Sequence, residues 1–122
     1  MAHERVGTDP VRTEYTVDDT TVLELHGDID IAVAPIVTAR LDSLTAGPRP
    51  DLVVDLGPVS FLDCAALRVL CRARGRIRER HGRLRLVSDS DRLRRMLQHT
   101  GLADAFEIHT SMTSALRPWS EV

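Results

Sequence analysis

The sequence predicts an α/β fold built on one mixed sheet in a single domain. Apolar and polar residues alternate in the first part of the chain, which is typical of strands covered on one face. Further along, short apolar runs alternate with longer segments of helical spacing. The chain has 122 residues, 43% of them apolar, so it can form one core and is too short for two ordinary domains. We therefore expect four to five strands and about four helices.

The two opening strands form a predicted hairpin. The stretch VRTEYTV, residues 11–17, alternates imperfectly, and TVLELHG, residues 21–27, alternates well. The letters DDT between them are turn residues. Because so short a connection cannot cross over the sheet, the two strands should pair in antiparallel fashion.

The first helix is predicted over residues 31–44. Asp28 and Asp30 precede it as candidate caps, and Pro35 is acceptable because it falls in the first turn. Five apolar residues at helical spacing are expected on the buried face: Val33, Ile36, Val37, Leu41 and Leu44.

A central strand and a long helix come next. The Val-rich run DLVVDLG, residues 51–57, is typical of a strand covered on both faces. The helix predicted over 64–82 directs arginines to one side and ends at Gly82 as its C-cap. Its expected buried face consists of Ala66, Leu67, Leu70, Cys71 and Ile77.

The last part of the chain alternates strictly between strands and helices. Ser88 or Ser90 should cap the third helix in front, and Gly101 should end it. Strands that alternate with helices need right-handed parallel crossovers, so an opening antiparallel hairpin makes the sheet mixed. The predicted elements are a strand over 83–88, a helix over 88–101, a strand over 105–110 and a helix over 111–119.

Composition favours a soluble, cytoplasmic protein without a membrane segment. No apolar run approaches the roughly 20 residues that span a bilayer, and the polar residues 1–10 are expected to form a disordered tail rather than a signal peptide. Cys64 and Cys71 are the only cysteines. Two helical turns would separate them by about 10 Å, which is too far for a disulfide, so a reducing compartment fits.

Charge is distributed unevenly along the chain, and every basic residue apart from histidine is Arg. Residues 1–67 hold 4 Arg against 12 acidic residues, whereas residues 68–95 hold 11 Arg against 3. Such a pattern can steer a protein partner, although solvated helix faces explain it equally simply. A nucleic-acid partner is disfavoured, because the net charge is −2 and only 3% of the residues are aromatic.

Cys64 lies where a strand gives way to a helix, and its role has several interpretations. A thiol there could be a nucleophile, a redox switch, a metal ligand or a small packing residue behind Asp63 as the N-cap. Cysteine-dependent phosphatases need an Arg six positions after the nucleophile, but Leu70 and Ile77 occupy those positions after Cys64 and Cys71. Phosphatase chemistry is therefore disfavoured.

The sequence contains no metal-binding or catalytic motif. The five histidines are scattered, and no His-x-x-x-His or Cys-x-x-Cys pair occurs. No set of nucleophile, base and orienting group stands out either. We therefore predict no metal, no cofactor and no enzymatic turnover.

Three stretches in the right order resemble the STAS-domain family of bacterial anti-sigma factor antagonists. DLVVDLGPVSFLDCAALRVL, residues 51–70, is similar to the family's apolar strand followed by V-[ST]-F-[ILM]-D-S-S-G-L. LELHGDIDIAVAPIV, residues 23–37, resembles its G-[DE]-[LI]-D strand end and Ala-Pro helix start, and residues 97–116 resemble its closing segment. The likeness covers about residues 11–117, with 118–122 as a C-terminal tail.

The resemblance implies a mixed sheet with helices packed mainly on one side, and a protein that works by partner switching. In this family an anti-sigma factor, which is also a serine kinase with a histidine-kinase-like ATPase domain, binds the antagonist and so releases its sigma factor. The kinase inactivates the antagonist by phosphorylating the first serine of D-S-S-G. That serine corresponds to Cys64, the second to Ala65 and the glycine to Ala66. The phosphorylation switch should therefore be absent.

The resemblance also implies where a partner binds. We expect a monomer or weak dimer that regulates transcription by binding an anti-sigma factor, without touching nucleic acid itself. A redox sensor in which oxidation of Cys64 mimics phosphorylation is the alternative. The expected partner-binding residues are Asp28, Asp30, Asp63, Cys64, Ala65 and Leu67.

Overall fold

A computed structural model describes residues 9–118 of the chain. The predicted tails, 1–10 and 118–122, lie almost entirely outside the described residues, so their disorder stays a prediction. Pro10 is buried, and its carbonyl accepts a hydrogen bond of 2.9 Å from the backbone N–H of His26. The folded part of the chain thus includes Pro10, the residue just before the first strand.

Strands and helices alternate as predicted, and the described residues contain two further short strands. The main sheet has five strands, and β3 and β5 form a separate pair. In chain order the elements are β1 (Val11–Val17), β2 (Thr20–Leu25), β3 (Gly27–Ile29), α1 (Ala34–Leu44), β4 (Asp51–Asp55), β5 (Val59–Leu62), α2 (Cys64–Glu79), β6 (Arg83–Val87), α3 (Asp91–His99), β7 (Glu107–His109) and α4 (Met112–Ala115).

The five-stranded sheet is mixed, as predicted. Its order is β1-β2-β4-β6-β7, with β1 antiparallel to β2 and every other neighbouring pair parallel. A two-residue turn joins β1 to β2, whereas α1, α2 and α3 make the crossovers between the parallel strands. The hairpin therefore adds one antiparallel edge to an otherwise parallel sheet.

The two faces of the sheet are covered unequally. On the first face, α1, α2 and α3 pack against alternate strand residues such as Leu23, Val54 and Leu86. On the second face, α4 is the only helix of residues 9–118 that packs, and Ala115 lies in a small buried cluster there with Val53. The prediction of helices mainly on one side is confirmed. None of the helices in the described part of the chain is long and apolar enough to cross a membrane.

The first helix starts later than predicted, and one apolar residue faces outward. A turn occupies residues 31–33, and α1 begins at Ala34 with Pro35 in its first turn. Val37 and Leu41 are buried as expected, but the side chain of Ile36 is 48% exposed. Ile36 lies about 100° around the helix from Val37, so the prediction that it faces the core is wrong.

The end of α2 also differs from the prediction. The helix stops at Glu79, and His81, not Gly82, takes the left-handed conformation with φ of 59°. Gly82 is needed for another reason: a Cβ atom there would lie 2.1 Å from the carbonyl oxygen of Pro50. The glycine permits close approach of two backbone segments rather than a helix cap. Gly101, with φ of 75°, does follow α3 as predicted, and Ser90 caps that helix in front.

A buried arginine connects the second face of the sheet to α4. Arg85 of β6 is 1% exposed, pairs with Asp51 of β4 and donates from Nη1 to the carbonyl of Ala115 over 2.6 Å. Thr20 Oγ1 donates to the other oxygen of Asp51 over 2.9 Å. Burial lowers the pKa of the Arg85 guanidinium, and the carboxylate of Glu107 opposes that shift. This face therefore combines a small apolar cluster with a buried ion pair.

Candidate functional site

The two-stranded sheet brings three predicted site residues together. β3 and β5 continue beyond the carboxyl ends of β2 and β4, which are themselves parallel neighbours, and they pair in the same direction. Asp28 lies opposite Phe61, and the backbone N–H of Asp63 donates to the carbonyl of Ile29 over 3.2 Å. The segments around Asp28, Asp30 and Asp63 therefore run side by side, although more than 30 residues separate them in the sequence.

Asp63 caps α2, as the sequence predicts. Its backbone is extended, with φ of −105° and ψ of −174°, and its Oδ1 accepts from the N–H of Ala66 over 3.1 Å. Its carbonyl accepts from the N–H of Leu67 over 3.1 Å. The side-chain bond gives a partner to the N–H of Ala66, which has none within the helix, and the carbonyl bond is the first regular bond of the helix. Asp63 thereby fixes where α2 begins.

Cys64 is the first residue of α2, and its side chain is exposed. Ala65 beside it is half-buried, whereas Ala66 is 2% exposed. Within residues 9–118, no group of three or more His, Cys, Asp or Glu side chains is gathered in a way that could hold a metal ion. The thiol thus lies at the surface, at the N-terminus of a helix and beside the carboxylate that caps it.

Leu67 does not belong to this surface. It is 5% exposed and packs in the main core with Ala66, Leu70 and the strand residues of the first face. Leu67 lies four positions after the cap, about one turn into α2, on the same buried face of the helix as Leu70 and Ile77. The side chain of Leu67 therefore stabilises the fold beneath the site, and its contact with a partner stays a prediction.

Asp30 and Asp28 have different environments. Asp30 Oδ1 accepts from the N–H groups of Ala32 and Val33 over 3.0 and 3.3 Å, so its carboxylate stabilises the turn that leads into α1. Asp28 is exposed, and its side chain makes no hydrogen bond or ion pair with the other described residues. The prediction that Asp28 or Asp30 caps α1 is wrong, because Val33 is the N-cap of that helix and no side chain caps it. Asp30 instead stabilises the turn before the helix.

Exposed apolar side chains surround the acidic residues, and sequence reasoning missed them. Ile31 is 74% exposed and Phe61 is 44% exposed, on the two segments that the small sheet pairs. A shallow groove between the starts of α1 and α2 continues from Ile31. The spacing of Val33, Val37 and Leu41 already completes a buried stripe, which could have shown that Ile31 lies outside it. Other residues along the groove are Ala34, Pro35, Ala65, Arg68 and Val69.

The arginines of α2 are partly neutralised by α1. Arg72 donates from Nε and Nη2 to the two carboxylate oxygens of Asp42, over 3.0 and 2.9 Å, and this hydrogen bonding lowers the pKa of Asp42. Arg76 donates to Thr45 Oγ1 over 2.9 Å. Arg68 is exposed and has no partner among the other described residues, one turn after Cys64. Some arginines of α2 thus serve to hold α1 and α2 together. Arg68 is the arginine nearest Cys64 whose charge is not paired in this way.

Replacing Asp63 by alanine should lower the free energy of unfolding by about 1 kcal/mol, because the Ala66 N–H loses its acceptor. Urea unfolding followed by circular dichroism measures this change. Asp63→Asn is the matched control, since its side-chain oxygen can still cap the helix while the charge is gone. Equal stability of wild type and Asp63→Ala would show that the cap contributes nothing.

Comparison with known proteins agrees with this geometry. The family model for the STAS domain matches residues 13–115. The anti-sigma-B factor antagonist of Listeria monocytogenes is 38% identical over 100 residues, covering 80% of this chain and 88% of that protein. The crystal structure of an anti-sigma factor antagonist from Mycobacterium paratuberculosis superposes with a TM-score of 0.77 at 27% identity, covering 85% of this chain and 88% of that one.

A second solved structure is similar in fold. The Bacillus cell fate determinant SpoIIAA in its phosphorylated form superposes with a TM-score of 0.66 at 19% identity, over 85% of this chain and 95% of that one. The family model spans nearly all of the sheet and all four described helices. The chain belongs to the STAS-domain family.

Proposed function

We propose that this chain is an anti-sigma factor antagonist that regulates transcription by binding an anti-sigma factor and releasing its sigma factor. The contact surface, called here the Cys64 surface, consists of Asp28, Asp30, Asp63, Cys64 and Ala65. One observation carries the proposal: the small sheet aligns two acidic segments beside the exposed start of α2. The name of the Listeria relative supports it.

The proposed partner is an anti-sigma factor with a histidine-kinase-like ATPase domain. The resemblance of residues 59–67 to the family's phosphorylated segment supports this choice. A kinase of that type transfers phosphate to a serine hydroxyl, and Cys64 has none. We therefore propose that binding is not switched off by phosphorylation at this position, and that the amount of the protein sets how much sigma factor is free.

The chemistry of the Cys64 surface suits stoichiometric binding rather than turnover. Asp63 is engaged in capping, Asp30 is engaged in a turn, and neither accepts a hydrogen bond from Cys64 in the structure. Carboxylates and apolar side chains around an exposed helix start form a docking surface for a complementary basic and apolar patch. The protein would act in the cytoplasm, where sigma factors work.

A redox-sensing role is the second candidate, and the exposure of Cys64 is the observation that favours it. Oxidation of the thiol to a sulfenic acid would add polarity and bulk at the centre of the Cys64 surface. Cys71 is half-buried against the core two turns further along α2, about 10 Å away, so it cannot resolve that oxidised state as a disulfide without unfolding the helix.

Displacement of a sigma factor tests the proposed function. The purified chain would be added to complexes of each ATPase-type anti-sigma factor of the source cell with its sigma factor. We expect one complex to release its sigma factor at a one-to-one ratio of antagonist to anti-sigma factor, as measured by size-exclusion chromatography. Peroxide-treated protein is added in parallel, because loss of release after oxidation would identify the redox role.

Two variants make the displacement experiment specific. Asp28→Arg reverses an exposed charge within the Cys64 surface and should strongly reduce release, whereas Gln98→Glu changes charge by one unit on the exposed side of α3 and should not. Failure of the wild type to release any sigma factor would refute the proposed function. Equal loss with both variants would place the contact elsewhere.

A further inference from the structure

The outer strand of the main sheet, β1, is unusually exposed. It pairs with β2 on one side only, and no strand within residues 9–118 pairs with its other side. Its five central residues are all exposed, and the side chain of Tyr15 at the centre is 44% exposed. Seven residues rich in Thr, Tyr and Val form a template to which another strand can add.

The pairing of β1 with β2 determines which backbone groups are free. Val17 pairs with Thr20 across a two-residue turn, and such a turn closes on a hydrogen-bonded pair. Alternation along the ladder then turns the N–H and C=O groups of Tyr15 toward β2 and those of Glu14 and Thr16 outward. Near the start of the strand the register shifts between Val11 and Thr13, so a bulge interrupts the edge there.

A second copy of β1 can pair with the first in only a few registers. A two-fold axis perpendicular to an antiparallel pair places one residue opposite itself. An axis at Glu14 would place two carboxylates face to face, and an axis at Thr16 would oppose Glu14 to Asp18; both arrangements are repulsive. An axis at Thr13 would run across the bulge.

An axis at Tyr15 avoids all of these faults. Tyr15 then faces its own copy as an aromatic cross-strand pair, and Glu14 lies opposite Thr16 in both directions. Thr13 meets Val17, and at the two ends of the ladder Arg12 meets Asp18, which has the opposite charge. The existing ion pair of Glu14 with Arg40 of α1, at 2.6 Å, involves side chains only and can persist.

We propose that two copies of this chain associate through antiparallel pairing of β1, centred on Tyr15, to form a continuous ten-stranded sheet. The strand that pairs with the free edge is thus β1 of a second copy, because in one register the side chains of the two strands match in charge and in type. None of the five residues that form the Cys64 surface belongs to β1. The dimer is therefore proposed on different residues from the proposed function, and either proposal can fail without the other.

Site-directed crosslinking of the full chain tests the register. In a Cys64→Ala/Cys71→Ala background, Tyr15→Cys places two thiols directly opposite each other, with Cβ atoms about 5 Å apart, and should give a covalent dimer under mild oxidation. Thr13→Cys is the matched control on the same face of the same strand. In the proposed register its two copies lie about 14 Å apart and should not crosslink.

Sedimentation velocity over a range of concentrations provides the second measurement. The wild type should show a monomer–dimer equilibrium, and Tyr15→Arg should remain monomeric, because two guanidinium groups would face each other across the axis. Circular dichroism establishes that Tyr15→Arg is folded. A wild type that stays monomeric at every concentration, or a Thr13→Cys variant that crosslinks better than Tyr15→Cys, would overturn the proposal.

Discussion

Replacing Arg85 by alanine should lower the free energy of unfolding by about 3 kcal/mol. The guanidinium is buried beneath α4, and its removal leaves Asp51 without its ionic partner. Loss of one member of a buried pair costs about 3–5 kcal/mol. The low end applies because Asp51 stays one-third exposed, so water can solvate part of its charge. The carbonyl of Ala115 also loses its donor, which should loosen α4.

Chemical denaturation of Arg85→Ala, compared with a variant that breaks an exposed ion pair, checks this magnitude. Arg72→Ala breaks the contact with Asp42, in which both side chains are substantially exposed, and should cost less than about 1 kcal/mol. Arg85→Met retains the apolar stem of the side chain, so any difference from Arg85→Ala reports packing rather than charge. Equal, small effects of Arg85→Ala and Arg72→Ala would show that burial does not strengthen the Arg85 contact.

Sequence pattern was sufficient for the main sheet because each of its strands and crossover helices leaves a periodic signal. The Val-rich run at 51–57 predicted a central strand, and Leu52, Val53 and Val54 are indeed buried on both faces. The same patterns did not reveal β3 or β5, because each lies just after a longer predicted strand, over 21–27 and 51–57, and is stabilised by pairing with the other rather than by a pattern of its own. These two strands exist because β2 and β4, already neighbours, continue side by side past the sheet.

The candidate site was only partly predictable for a related reason. Capping by Asp63 depends on local geometry, and the sequence therefore indicated it correctly. Exposure depends on tertiary packing: Leu67 follows the family pattern yet is buried, while Ile31 is outside that pattern and is exposed. A motif identifies residues that contribute to a site. It does not distinguish the buried residues that support the surface from the exposed residues that form it.

The Cys64→Asp variant should bind the proposed anti-sigma factor about 100-fold more weakly than the wild type. A carboxylate at residue 64 would add a negative charge beside Asp63, within a surface that already contains Asp28 and Asp30. Burying this charge in the contact beside Asp63 costs desolvation and like-charge repulsion, which we expect to exceed its attraction to the basic patch of the partner. A net loss of about 3 kcal/mol corresponds to a factor of roughly 100 in affinity. Cys64→Ala, which removes the thiol without adding charge, should bind as the wild type does.

The fold itself should tolerate Cys64→Asp, which separates loss of binding from loss of structure. An acidic residue in the first turn of a helix stabilises it by about 0.3–1 kcal/mol, and a pair with Arg68 one turn later adds about 0.3–0.5 kcal/mol. These gains are much smaller than the expected loss in binding, so affinity falls while the melting temperature does not. Thermal unfolding and calorimetric titration of the same samples measure both quantities.

Phosphorylation provides the complementary half of this experiment. Incubation with the proposed anti-sigma factor kinase and ATP should leave the wild type unmodified, because Cys64 has no hydroxyl, whereas Cys64→Ser should gain one phosphate by mass spectrometry. The capped helix start is the same in both proteins, since Asp63 bonds to Ala66 and not to residue 64. Phosphate would bring a charge of about −1.5 to −2 to the position where aspartate brings −1, so phosphorylated Cys64→Ser should bind at least as weakly as Cys64→Asp. If wild type, Cys64→Asp and phosphorylated Cys64→Ser all bound equally well, residue 64 would lie outside the contact, and the partner would have to approach from another side of the domain.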